Sequence, residues 1–173
     1  MLTVAAIAQL LIAAAFLGIP LVRHRYGAAA KAAAEAELNR QGVRSGVLAE
    51  HCMRFDAGGH ETWAPLSIAL VMAGLAGLDL ASIPRGQTLT WICQALVLIV
   101  NAVILYSNLT AAKSIEHAFA KTGDPELARI DVRRFLAAAE GAFPRWVMPW
   151  LQNARHAIVF GGSILVFVAL LAA

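Results

Sequence analysis

Five histidines, His24, His51, His60, His117 and His156, are the residues of this chain best suited to hold a metal or to move a proton. Glu61 and Glu116 adjoin His60 and His117, and Glu140 adds a further carboxylate. Imidazole and carboxylate ligands suit zinc or iron, and two histidines from different helices can ligate haem. The spacing is less favourable than the residue types. "HE" at 60–61 and "EH" at 116–117 form no H-E-x-x-H or E-x-x-H pair, and the chain has no C-x-x-C. A metal or haem therefore requires His24, His60, Glu61, His117 and His156 to converge in space, and no cofactor is predicted from spacing alone. Nor is there a Ser-His-Asp grouping, a phosphate-binding loop or a dinucleotide fingerprint; "GLAG" at 74–77 reads as helix packing.

A second group of polar residues is set by period. Gln94, Asn101 and Asn108 lie seven apart in "WICQALVLIVNAVILYSNL". Positions seven apart on a straight helix drift by only about 20°. The three amides are therefore expected on one face over roughly 21 Å of rise. An unpaired amide facing hydrocarbon costs several kcal/mol, so the line must face protein or water. Interhelical hydrogen bonding is the structural expectation, and a polar groove for a ligand is the functional one.

The elements that must carry these groups are read from hydropathy and charge. Of 173 residues, 60% are hydrophobic and 14% charged, where a soluble domain is about half apolar and about a quarter charged. Four runs, at about 2–22, 63–81, 89–109 and 151–173, are long enough to cross a core of roughly 30 Å as helices. No run alternates with period two, which argues against strands. Thirteen of the fourteen Lys and Arg residues fall in or beside segments 23–62 and 110–150, and Arg85 alone lies between the second and third runs. That asymmetry predicts both loops on the cytoplasmic side and both termini outside. It also explains the basic pI without nucleic acid. The first run has no positive residue before it and "RHR" after it, the reverse of a cleaved signal, and reads as a retained anchor. Cys52 and Cys93 are placed on opposite sides and are not expected to pair.

Within this frame, "SIPRGQT" at 82–88 is a short turn that makes the second and third helices antiparallel neighbours. Counting about it, residue i of the second helix lies level with roughly residue 170 − i of the third. Asn101 then falls near Ala69, and Gln94 near Ala76 and Gly77. Ala69, Ala73, Gly77 and Ala81 form a small-xxx-small ridge, expected to seat against the amide face. Gln9 is assigned to the depth of Gln94, and Ser163 to that of Asn101. Asp79 is expected to pair with Arg85 or water. The Ala-rich "GAAAKAAAEAELNRQG" continues the first helix to about Gly42, and the third is expected to reach about Lys121. Gly46, Gly58 and Gly59 read as turns around a short amphipathic piece at 47–55. Asp124 and Pro125 read as N-cap and first residue of an amphipathic helix over 125–142, lying on the membrane surface or against the bundle. "FPRWVMPW" reads as an interfacial aromatic belt.

The fold class that follows is all-α: a polytopic membrane protein with four transmembrane helices in one bundle, plus an amphipathic cytoplasmic helix, forming one domain over 1–173. Four spans with "RHRYG" and "HETWAPL" before the second resemble the small four-helix membrane enzymes of glutathione and eicosanoid metabolism. This chain departs from them where Gly58 and Gly59 interrupt the stretch that would carry their Arg/His/Asn/Glu motif. It also joins its last two spans by a longer loop, so no residue role is carried over. Three functions fit the residues. The first is a non-catalytic accessory, scaffold or self-associating subunit, with lipid and a homo-oligomer or larger membrane complex as partners. The second is a small enzyme or metal/haem protein with its site at the inner face. The third is a carrier of a small amphipathic molecule along the amide line.

Overall fold

The structure, a computed structural model, describes residues 1–50 and 59–173, without the side chains of Leu48, His60, Glu61, Met148 and Pro149. Among the described residues the chain is 86% helix and has no strand. The described residues form six α-helices: α1 (Leu2–Arg40), α2 (Val47–Glu50), α3 (His60–Leu80), α4 (Pro84–Thr122), α5 (Val132–Gly141) and α6 (Gln152–Leu171). Of these α1, α3, α4 and α6 contain stretches long and apolar enough to cross a membrane. The expected positions of His51, Cys52 and Gly58, and most of the 47–55 piece, lie outside the described residues.

The chain forms two compact units. The first comprises 1–21, 59–105 and 150–173, and the second 22–58 and 106–149. In the first unit the interior mixes alanine with larger apolar side chains. Ile12, Ala13 and Phe16 of α1 pack with Ala69, Met72 and Leu75 of α3, Val97 of α4 and Val159 of α6. A Cβ on Gly162 would stand 3.1 Å from the Ile12 side chain, so α1 and α6 approach closely there because that residue is glycine. Trp91 and Phe167 stack at 4.8 Å and join α4 to α6. Outward faces carry large apolar side chains, among them Ile7, Leu11, Leu70, Leu96, Ile99 and Ile164. Exposed apolar surface on that scale is costly in water and favourable against lipid.

The α3–α4 turn is tighter than the sequence suggests. Pro84 and Gly86, expected as turn residues, both lie in the first turn of α4, where proline's missing N–H is harmless. The reversal is made by Ala81, Ser82 and Ile83, with Ser82 at φ 54°. Gly86 is required there, since a Cβ would stand 2.8 Å from that of Leu78.

In the second unit the two connecting segments share a core. Ala34 and Leu38 of α1, Phe119 of α4 and Val132, Phe135 and Ala139 of α5 pack with Val43, Val47, Leu127 and Ile130. The apolar face of α5, expected on the membrane surface or against the bundle, is used here instead. The helix expected over 125–142 is broken. The Asp124 carboxylate accepts from the Glu126 N–H at 2.8 Å, a 3₁₀ turn follows at Leu127–Arg129, and Ile130 is extended at ψ 117°. Asp131 then caps α5 by accepting from the Arg134 N–H. Two competing carboxylate caps explain the break, because each draws the backbone into its own turn. Gln41 accepts from the Asp131 N–H at 2.8 Å and donates to Glu37 at 2.7 Å. Arg44 donates to Glu126 through its backbone N–H and its Nε, both at 2.9 Å.

Candidate functional site: a buried polar seam

Thr90, Gln94, Val97 and Asn101 follow one another along α4 at helical spacing, and all four are buried. They line the interior of the first unit, and each polar member meets a different neighbour. At the end nearest the α3–α4 turn, Gln9 Nε2 donates to Asp79 Oδ2 at 3.0 Å and to Thr90 Oγ1 at 3.3 Å. Thr90 Oγ1 in turn donates to Asp79 Oδ2 at 3.1 Å. The Gln9 amide thus turns its donor to Asp79 Oδ2, which also accepts from Thr90. One helical turn along, Gln94 Nε2 donates to Ser163 Oγ at 2.6 Å, and the Ser163 hydroxyl donates in turn to the Val159 carbonyl.

At the far end, Arg155 Nη2 lies 3.0 Å from His156 Nε2, and His156 Nδ1 lies 3.2 Å from Asn101 Oδ1. A guanidinium has no acceptor, so His156 Nε2 accepts. The ring proton is then on Nδ1 and donates to Asn101, which must present its oxygen. Both ring nitrogens are engaged, so His156 can ligate a metal only by giving up one of these bonds.

The seam differs from the expected pairings in three ways. Asp79 is fully buried and bonded to Gln9 and Thr90, whereas Arg85 is exposed. Gln9 serves Asp79 rather than the level of Gln94, Ser163 serves Gln94 rather than Asn101, and Asn101 meets His156. Hydrogen-bond complementarity, not equal depth, chose the partners. The count about the turn did contain one correct signal: it sets Asp79 level with residue 91, beside Thr90. Asn108 is exposed and belongs to the second unit.

The small-residue ridge is also corrected. Ala69 is buried, but Ala73, Gly77 and Ala81 are exposed, and α3 turns Ala69, Met72, Leu75, Ala76 and Asp79 inward. The buried carboxylate fixes that face, and Gly77 sits about 200° round the helix from it.

The histidine constellation does not assemble among the described residues, where no three His, Cys, Asp or Glu side chains come together. His24 and His117 are exposed side chains of the second unit, and His156 is buried in the first. The side chains of His60 and Glu61 lie outside those described, as does Cys52; Cys93 is a free, half-buried thiol. The second unit also carries a shallow surface depression lined by Glu37, Arg40, Gln41, Arg129, Asp131 and Arg134. In it, hydrogen bonds from Arg40 and then Gln41 hold the Glu37 carboxyl below its usual range.

Fold and seam together define the class: an all-α protein whose four apolar helices are compatible with a membrane helix bundle. Comparison with family models, curated proteins and solved structures gave no match for this chain. The functional reading therefore rests on the residues themselves.

Proposed function

We propose that this protein is a non-catalytic, multi-pass subunit of a cytoplasmic membrane that associates with a second copy of itself through the outer face of α3. The charge asymmetry supports loops 23–62 and 110–150 inside and both termini outside. The observation that carries the association is the position of the small residues. Ala73, Gly74, Gly77 and Ala81 are all exposed, and nothing lies within 4 Å of where a Cβ on Gly74 or Gly77 would stand. These residues do not serve packing within the fold. On a surface otherwise rich in Leu, Ile and Val, they leave a smooth strip along which a second helix can approach closely. Backbone approach of this kind drives helix association in lipid, where the hydrophobic effect between helices is absent. A strip meeting its own copy gives a closed two-fold pair.

The test is energy transfer between labelled chains in lipid vesicles at varied protein-to-lipid ratio. Wild type should pair, and Gly77→Leu should weaken pairing by at least about tenfold. Unchanged transfer in Gly77→Leu, or a wild type that stays monomeric at all ratios, removes the α3 reading.

A further inference from the structure

The polar seam holds one carboxylate, Asp79, at the opposite end from its one guanidinium, Arg155. Asp79 is fully buried in the first unit, and among the described residues it forms no ion pair. Both of its hydrogen bonds converge on Oδ2; Oδ1 has no partner. Gln9 Oε1, also fully buried, has no partner either. The amide and the carboxylate are already joined through Nε2 and Oδ2, and each carries its unsatisfied acceptor oxygen on the same carbon as the bonded atom. Two acceptors cannot satisfy one another. They need a donor or a cation.

The surroundings deepen the requirement. Asp79 lies in the last turn of α3, at the negative end of the helix dipole. Residues 2–21 contain no ionisable side chain. In α6 the ionisable side chains are Arg155 and His156, bonded to each other at the Asn101 end of the seam. Within residues 84–105, α4 has the exposed Arg85 and the half-buried thiol Cys93. A carboxylate inside a membrane bundle without a cationic neighbour is costly by far more than an unpaired amide.

We propose that Asp79 and Gln9 form a binding site for a monovalent cation, a proton or a sodium ion, held between Asp79 Oδ1 and Gln9 Oε1. A proton on Oδ1 would donate to Oε1 and close an acid–amide ring with the existing Nε2–Oδ2 bond. A sodium ion would take both oxygens as hard ligands. Either one neutralises the carboxylate and satisfies both acceptors together. Thr90 keeps Oδ2 in place in both cases. The site does not depend on the association reading, because all three residues are interior to one copy.

The variant Asp79→Asn is close to isosteric and puts an N–H donor in place of Oδ1. It satisfies Gln9 Oε1 without a cation. Full-length protein in detergent is first titrated at neutral pH with radioactive sodium, with choline balancing ionic strength. Infrared spectra are then recorded for wild type, Asp79→Asn and Gln9→Met. Stoichiometric sodium binding that is lost in Asp79→Asn establishes the sodium form. No sodium binding, with a protonated-carboxyl stretch that disappears in Asp79→Asn and shifts in Gln9→Met, establishes the proton form. Wild type with neither bound sodium nor a protonated-carboxyl band at neutral pH overturns the site, and that measurement needs no variant to fold. Loss of pairing in vesicles would leave these results unchanged, so the two readings fail separately.

Discussion

Ser163→Ala and Gln94→Leu remove opposite ends of one hydrogen bond, and the structure predicts that their costs differ. Gln94 Nε2 donates to Ser163 Oγ, while Gln94 Oε1 has no partner. Ser163→Ala strands the whole buried amide, at about 1–3 kcal/mol. Gln94→Leu loses the same interhelical bond, worth about 0.6–2 kcal/mol in membrane proteins. It also removes the orphaned oxygen, a relief of about 1–3 kcal/mol. Ser163 still donates to Val159, so nothing is stranded on α6. The net for Gln94→Leu therefore lies between a cost of about 1 and a gain of about 2 kcal/mol, and the smaller side chain change is the more damaging one. Reversible unfolding in mixed micelles, followed by circular dichroism, measures both variants and the double variant. The double variant should resemble Gln94→Leu alone, which makes the coupling between the sites equal to the cost of Ser163→Ala, about 1–3 kcal/mol. If Gln94→Leu costs more than Ser163→Ala, or the two effects simply add, the seam is not joined through this pair.

Two other perturbations probe the two units. Asn101→Leu leaves the His156 Nδ1 proton without an acceptor, at about 1–3 kcal/mol, but also removes the unpartnered Asn101 Nδ2, so it should cost less than Ser163→Ala in the same assay; Asn108→Leu, at an exposed position, should stay within about 0.5 kcal/mol. Glu37 is held below its usual range by Arg40 and Gln41, so its contribution to stability is present above the unfolded-state value and is lost as pH falls through the lower folded-state value. Thermal unfolding scanned downward from neutral pH should show that acid loss in wild type and a shallower one in Glu37→Gln; parallel curves would contradict it.

The four apolar helices were legible because length and hydropathy over about 20 residues leave few alternatives. The inward placement of Gln94 and Asn101 follows from the same logic, since lipid offers an amide no partner. Asn108 lies one heptad further on, yet it falls outside the first unit, and no cost then forces it inward. The partners were harder to read. Depth along straight helices locates a group to within a turn or so, and several polar groups compete inside that interval. The second unit was hidden for another reason. Leu38 and Phe119 are isolated large apolar residues in their segments, and nothing in their local spacing says that they meet the apolar face of α5. The outward turn of Ala73, Gly77 and Ala81 became readable only once Asp79 was seen to be buried.

The seam's energetic role differs from that of the apolar interior. Large side chains in lipid gain little by choosing one neighbour over another, because hydrocarbon outside is much like hydrocarbon inside. Directed bonds discriminate where apolar contacts do not. Rotating α4 by one residue, about 100°, would turn Thr90, Gln94 and Asn101 away from their partners together, each at a cost of several kcal/mol against lipid. A handful of polar groups thus fixes the register of α1, α3 and α6 around α4. Register requires one good bond per neighbour: Thr90 meets Gln9 of α1 and Asp79 of α3, and Gln94 and Asn101 meet Ser163 and His156 of α6. What register does not require is a carboxylate. An asparagine at position 79 would set the same geometry without a charge to neutralise. The presence of aspartate there, with an unsatisfied oxygen beside that of Gln9, is a cost that orientation alone does not explain and that a bound cation does.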